Sequence, residues 1–273
     1  MCFGAGQEKI NEEAELYKRV HEDSECVFDE PREQKTQFQR SLSLHSKFMN
    51  FIILIIIPML LGLWAQMKVH GTYNRWSKVY SKNGLSGKDA AEAILHSAGI
   101  RDVSVISVPG HLSDHYDPSK KQLALSTANY KGTSLAALGV AAHEAGHALQ
   151  DKAHYAPLKA RAALIPVTNF ACVLLPFVIL GGFIFPFLGA KAILMAIIAY
   201  LVLTVFQLVT LPVEFDASKR AKQCLLDLGI VAKEEMKGVS QTLDAAAFTY
   251  VAAFIASLGT LLHYIHIYTS NRD

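Results

Sequence analysis

The sequence predicts a mainly α-helical, multi-span membrane protein that carries a small α+β region between its first two spans. Three features predict it: four long uncharged stretches, one helical H-E-x-x-H motif between the first two, and two short alternating segments just before that motif. The chain has 273 residues, 51% of them hydrophobic. A large soluble domain would tolerate that composition, so the clustering is what points to a bilayer. Residues 48–67, 165–190, 192–213 and 245–269 contain no Lys, Arg, Asp or Glu. Each is long enough for the roughly 20 residues that cross the hydrocarbon core as a helix. The last is the least certain by composition, being rich in Ala and carrying Ser257, Thr260, His263 and His266.

The elements follow in order. Residues 1–47 hold seven Lys/Arg against ten Asp/Glu and read as a polar, acidic, solvated tail with one short helix. The span at 48–67 starts too late for a cleaved signal peptide and reads as an uncleaved anchor. Residues 68–164 form the zincin-like region. Ser86 caps a short helix with an apolar stripe at Ala90, Ile94 and Leu95, and Gly99 ends it. Val103–Val108 alternates as a strand, Pro109-Gly110 turns the chain, and Gln122–Ser126 is a second strand. That second strand is the expected place for an extended substrate to pair, which makes Leu123 and Leu125 sensitive positions. Between the strands, Asp114 and Asp117 read as Asx-turn residues. The motif helix starts near Thr133 or Ser134 and runs through Gln150. Residues 165–190 and 192–213 are the second and third spans, 214–244 is a further helical region ended in part by Gly229, and 245–269 is the fourth span.

Four spans place residues 68–164 and 214–244 on one side of the membrane. Near the spans that side carries twelve Lys/Arg and the other six, which predicts a cytoplasmic location for the motif. The net charge of +2 gives no footprint for nucleic acid. Cys2, Cys26, Cys172 and Cys224 show no C-x-x-C spacing and read as reduced thiols.

The chemistry centres on Ala142-His143-Glu144-Ala145-Gly146-His147. Histidines four apart share one helix face and can ligate one zinc ion, while Glu144 lies beside the metal, placed to act as base toward an activated water. A catalytic zinc needs a third protein ligand and one open position. The positions three and six residues after His147 hold Gln150 and Ala153, which excludes the metzincin pattern, and His154 falls one residue late. A glutamate on a later helix is the other common solution. Glu214, directly after the third span, is the outstanding candidate because the topology places it on the same face as His143. The competing reading is an interfacial carboxylate paired with Lys219 or Arg220. Ser218, one turn on, is expected to orient Glu214. His115, Tyr116 and Tyr250 are candidate oxyanion donors, a role worth roughly 3 kcal/mol.

Several stretches together resemble the bacterial family of putative neutral zinc metallopeptidases of the YugP type. They are Gly84–Gly87, Leu112–Pro118, Gly139–Ala148, Tyr155–Leu158, Leu211–Ser218 with Arg220-Ala221, and Ala245–Ala253. The likeness runs from about Gln66 to Leu262. It implies a membrane-embedded gluzincin, distantly similar to the HtpX-type quality-control proteases, whose third ligand is the glutamate of an E-x-x-x-D pattern. Glu214 occupies that place, but Ser218 stands where the pattern has its aspartate. The implied protein is a bacterial cytoplasmic-membrane zinc endopeptidase acting on membrane or unfolded polypeptides. Two other readings compete with it. A site-2-type intramembrane protease would bury the motif in a span, and a non-catalytic scaffold or transporter would close a structural zinc site with a fourth side chain.

Overall fold

In a computed structural model, the described residues are Glu15, Lys18 and 32–270 apart from Leu112. The acidic tail therefore lies largely outside the described residues, as do Cys2 and Cys26. The chain divides into two units, residues 1–50 and 51–273. In the first, helix α1 (Arg32–Phe51) shows that the last third of the predicted tail is helical.

A π-helical segment, Ile52–Ile56, leads without a break into α2 (Ile57–Trp76), and Pro58 lies inside this continuous helix, where it removes one backbone hydrogen bond just after the π-helical turn. Next come α3 (Gly87–Ser97), β1 (Ser104–Val108), β2 (His115–Asp117), β3 (Gln122–Ser126), α4 (Thr127–Lys131) and α5 (Leu135–Lys152). Three long helices follow: α6 (Ala156–Ile184), α7 (Gly189–Asp227) and α8 (Met236–Ser270). Four described helical runs are long and apolar enough to cross a membrane: Leu44–Trp76, α6, α7 and α8. Their outward side chains are apolar, with Phe170, Phe177 and Phe183 at 68%, 69% and 84% exposure, a surface that water disfavours and lipid accepts. The protein is an integral membrane protein, mainly helical, with one small sheet.

The local signals act as their chemistry requires. Ser86 caps α3 in a full capping box: its hydroxyl accepts from the Asp89 N–H, and Asp89 accepts from the Ser86 N–H at 2.9 Å. Gly99 and Gly229 end α3 and α7 at φ +66° and +63°, values that glycine adopts without strain. Ser134 caps α5 by accepting from the Ala137 N–H. The third span and the Glu214 region are one continuous helix, α7, rather than two elements. Pro212 lies within α7 and removes one backbone hydrogen bond without ending it. The fourth span likewise belongs to a longer helix that begins at Met236.

The sheet order is β1-β3-β2, with β3 parallel to β1 and antiparallel to β2. This corrects the substrate-strand expectation. Strand β3 is central, with Leu123 and Leu125 fully buried in the core, so its backbone groups are already paired and cannot receive a peptide. Strand β2, too short to stand out by alternation, is an edge. The core joins Ile94 of α3, Leu123 and Leu125 of β3, Leu135 and Leu138 of α5, Leu225 of α7, and Val239 and Leu243 of α8. The ends of two membrane helices thus serve as walls of the extramembrane region, and that is what carries Glu214 to the motif helix.

Candidate metal centre

Helix α5 is buried on most of its circumference, and its one polar face is the functional one. His143 and His147 pack with ring centroids 4.8 Å apart, nearly perpendicular. Opposite them, α7 delivers Glu214, a carboxylate only 1% exposed. Its Oε2 lies 3.1 Å from His143 Nε2 and 3.8 Å from His147 Nε2. Ligands about 2.0–2.1 Å from a tetrahedral zinc sit about 3.4 Å from one another. Two neutral-capable imidazoles and a carboxylate at these separations therefore fit that ion. The three potential ligand atoms all lie within 4.8 Å of one another, and three side chains leave a coordination position for water. The structure brings together the three residues that the sequence singled out, His143, His147 and Glu214. The competing pairing of Glu214 with Lys219 or Arg220 does not occur: Arg220 pairs with Asp216 at 2.6 Å.

Close approach of α5 and α7 makes this meeting possible. A Cβ at Gly146 would lie 2.6 Å from the Ala217 carbonyl oxygen, so only glycine lets the helices touch at that level.

Supporting contacts differ from expectation in one place and add two residues. Ser218 does not orient Glu214; its Oγ lies 3.1 Å from His143 Nδ1. One turn beyond Glu214 on the same helix face, it reaches across to α5 instead of back along α7. Gln150, fully buried, places its Oε1 3.0 Å from His147 Nδ1. Each histidine thus has its second ring nitrogen held by a polar partner, the arrangement metal-binding histidines use. Arg161 of α6 donates to Glu214 Oε1 at 2.8 Å. In sequence Arg161 is one more span-flanking cation, and nothing local distinguishes it. Gln150 did carry a signal, because three residues after His147 it falls on the same buried face.

Glu144 is 9% exposed. Burial pushes its carboxyl up to about 7, against the opposing pull of His143. Burial also lowers His147, to about 4, with His143 adding to the effect. For His143, burial again disfavours the charged ring, but the hydrogen bond to Glu214 and the charges of Glu144 and Glu214 outweigh it and raise its pKa.

A cleft of about 250 Å³ opens over these groups. Its wall includes His115 and Tyr116 of β2, Leu158, Ala162 and Ile165 of α6, and Tyr250 of α8. The Tyr116 hydroxyl is engaged elsewhere, donating to Asp151 at 2.8 Å. His115 Nδ1 is 2.8 Å from the Ser113 carbonyl and so carries the proton, which leaves Nε2 of the neutral ring an acceptor. Tyr250 stands beside Glu214. Asp117 makes the expected Asx turn, accepting from the N–H groups of Ser119 and Lys120. Asp114 instead ties the sheet to α4 by accepting from Ser126 and Asn129.

An H-E-x-x-H helix facing a glutamate of a membrane helix defines a membrane protein with a candidate metal centre of two histidines and a carboxylate. The family model for "Putative neutral zinc metallopeptidase" matches residues 51–269, and the chain belongs to that family. It is 43% identical over 226 residues to a protein of Bacillus subtilis (strain 168) described as "Putative membrane protease YugP". The match covers 82% of this chain and 99% of that protein. No solved structure matches the chain.

Proposed function

We propose that this protein is a membrane-bound zinc endopeptidase of the gluzincin kind, with Glu144 as general base. The observation that carries the reading is the convergence of His143, His147 and Glu214 beside Glu144 in an open cleft. Zinc held by those three side chains would polarise the scissile carbonyl and lower the pKa of water. Glu144 takes the proton from the attacking water and delivers it to the leaving amine. Tyr250 is the donor placed nearest the ligand set, its hydroxyl hydrogen-bonded to Glu214 there, whereas the Tyr116 hydroxyl is turned to Asp151. Arg161 holds the Glu214 oxygen turned away from the histidines.

The substrate is a polypeptide, either a membrane protein cut beside its span or an unfolded chain. Leu158, Ala162 and Ile165 support that class, because they give the cleft an apolar wall at the start of a membrane helix. The flanking charges favour a cytoplasmic face of the bacterial inner membrane for the site, and a role in membrane-protein quality control accords with this placement. An intramembrane mechanism is disfavoured because α5 lies outside the four candidate spans.

The reading is tested by cleavage of an unfolded test protein by the detergent-purified enzyme. Chelation is expected to stop cleavage and added zinc to restore it. Glu214→Ala is expected to lose zinc occupancy and activity together. Cleavage that survives chelation, or full zinc occupancy in Glu214→Ala, refutes it.

The sheet edge nearest the cleft is β2, so an extended substrate pairs there rather than on β3. One lost backbone hydrogen bond of about 1.4 kcal/mol corresponds to about tenfold in affinity. The Ser104 N–H donates to the Lys121 carbonyl, so Gln122 and Ala124 are the residues of β3 that face β2, opposite Asp117 and His115, and the N–H that β2 turns outward is that of Tyr116. Tyr116→Pro is therefore expected to raise KM about tenfold above Tyr116→Ala with zinc content unchanged. Equal KM values in the two variants would refute the pairing.

A further inference from the structure

We infer that Gln150 is a positioning residue that dictates the tautomer of His147, so that Nε2 is the nitrogen offered to a metal. The inference rests on the zinc reading above for its purpose, but not for its geometry. A buried primary amide can face a histidine with either its oxygen or its NH2 group, and the surroundings decide which. The Gln150 nitrogen lies 2.8 Å from the Val213 carbonyl oxygen and 2.8 Å from Asp216 Oδ2. Both partners only accept, so the NH2 group must face them and its two hydrogens are used. The remaining face is Oε1, 3.0 Å from His147 Nδ1. An oxygen there demands a protonated Nδ1, which in a neutral ring leaves Nε2 with its lone pair toward Glu214 and His143.

Asp216 is itself held in place by Arg220, whose Nε donates to the same Oδ2 at 2.6 Å. The chain Arg220–Asp216–Gln150–His147 therefore runs from the half-exposed surface of α7 to the metal centre with every donor and acceptor assigned. Residue 216 lies two positions after the proposed ligand Glu214, so one helix supplies both the carboxylate ligand and the anchor for the opposing histidine. At Nδ1 His143 has no comparable constraint, because the Ser218 hydroxyl beside it can donate or accept, while its Nε2 faces the acceptor Oε2 of Glu214 at 3.1 Å. The outer ring nitrogens of the two imidazoles are thus held differently, one by dictation and one by accommodation.

The test reads zinc binding and ring protonation, neither of which needs turnover. In metal-free wild type at pH 8, the ¹⁵N shifts of His147 are expected to report a protonated Nδ1 and a bare Nε2. Zinc affinity, measured by competition with a chromophoric chelator, is expected to fall about 10- to 100-fold in Gln150→Leu. Gln150→Met keeps the length of the side chain without its oxygen and is expected to lose as much affinity as Gln150→Leu. A bare Nδ1 in wild type overturns the inference, as does wild-type affinity in Gln150→Leu. Wild-type affinity in Gln150→Met overturns it too, since packing alone would then explain the loss in Gln150→Leu. A wild type that binds zinc but cleaves nothing would remove the peptidase reading and leave this one intact. A wild type that takes no zinc would refute the metal reading, and the ring shifts would still decide the part played by Gln150.

Discussion

Glu144→Gln is expected to keep its zinc and lose on the order of 10³-fold in kcat, within the range a positioned general base supplies. The carboxamide matches the carboxylate in shape and leaves His143, His147 and Glu214 untouched, but it has no basic oxygen to take a proton. The base works only when ionised, so wild-type kcat/KM is expected to fall as pH drops through the Glu144 ionisation. Burial, against the pull of His143, places that ionisation at about 7, and a cation at the ligand set favours the carboxylate and draws it lower. The acid limb is thus expected at or below pH 7, and any residual turnover of Glu144→Gln should lack it. Zinc content and initial rates from one preparation check both statements. Undiminished cleavage by the glutamine variant would remove Glu144 from the mechanism.

Gly146→Val is expected to cost the protein both stability and metal. By helix propensity alone, replacing a mid-helix glycine gains up to about 1 kcal/mol when the new residue is alanine, and less for a β-branched one. The opposing effect is larger. The new Cβ would lie 2.6 Å from the Ala217 carbonyl oxygen and 3.2 Å from the Ala217 carbonyl carbon. These are backbone atoms of a buried helix and cannot swing aside. Overpacking of this kind costs about 1–3 kcal/mol, and relief requires α5 and α7 to separate. Separation also pulls His143 and His147 away from Glu214, so zinc affinity is expected to fall with thermal stability. Metal titration and thermal unfolding in detergent measure the two together. A valine variant with wild-type zinc affinity would show that the helix contact does not set the ligand geometry.

The sequence itself determined the membrane class, the motif helix and its cap, and the ends of α3 and α7. These are local properties: uncharged length, the period of a helix, the hydroxyl of Ser134, and the left-handed backbone at Gly99 and Gly229. It also singled out Glu214 as a candidate, because four spans constrain which segments share a side of the membrane even when nothing is known of their packing. What only the tertiary structure decided is every relation between segments distant in the chain. Ser218 serves His143 rather than Glu214, because its orientation depends on how α7 crosses α5. Arg161 becomes a partner of Glu214 only through the packing of α6 on α7. Strand β3 proves central and β2 an edge, because strand order follows from pairing rather than alternation. Gln150 lies between the two cases. Its place on the buried face is fixed by helix geometry, but the two acceptors that set its amide belong to α7, and only the fold brings them within 2.8 Å.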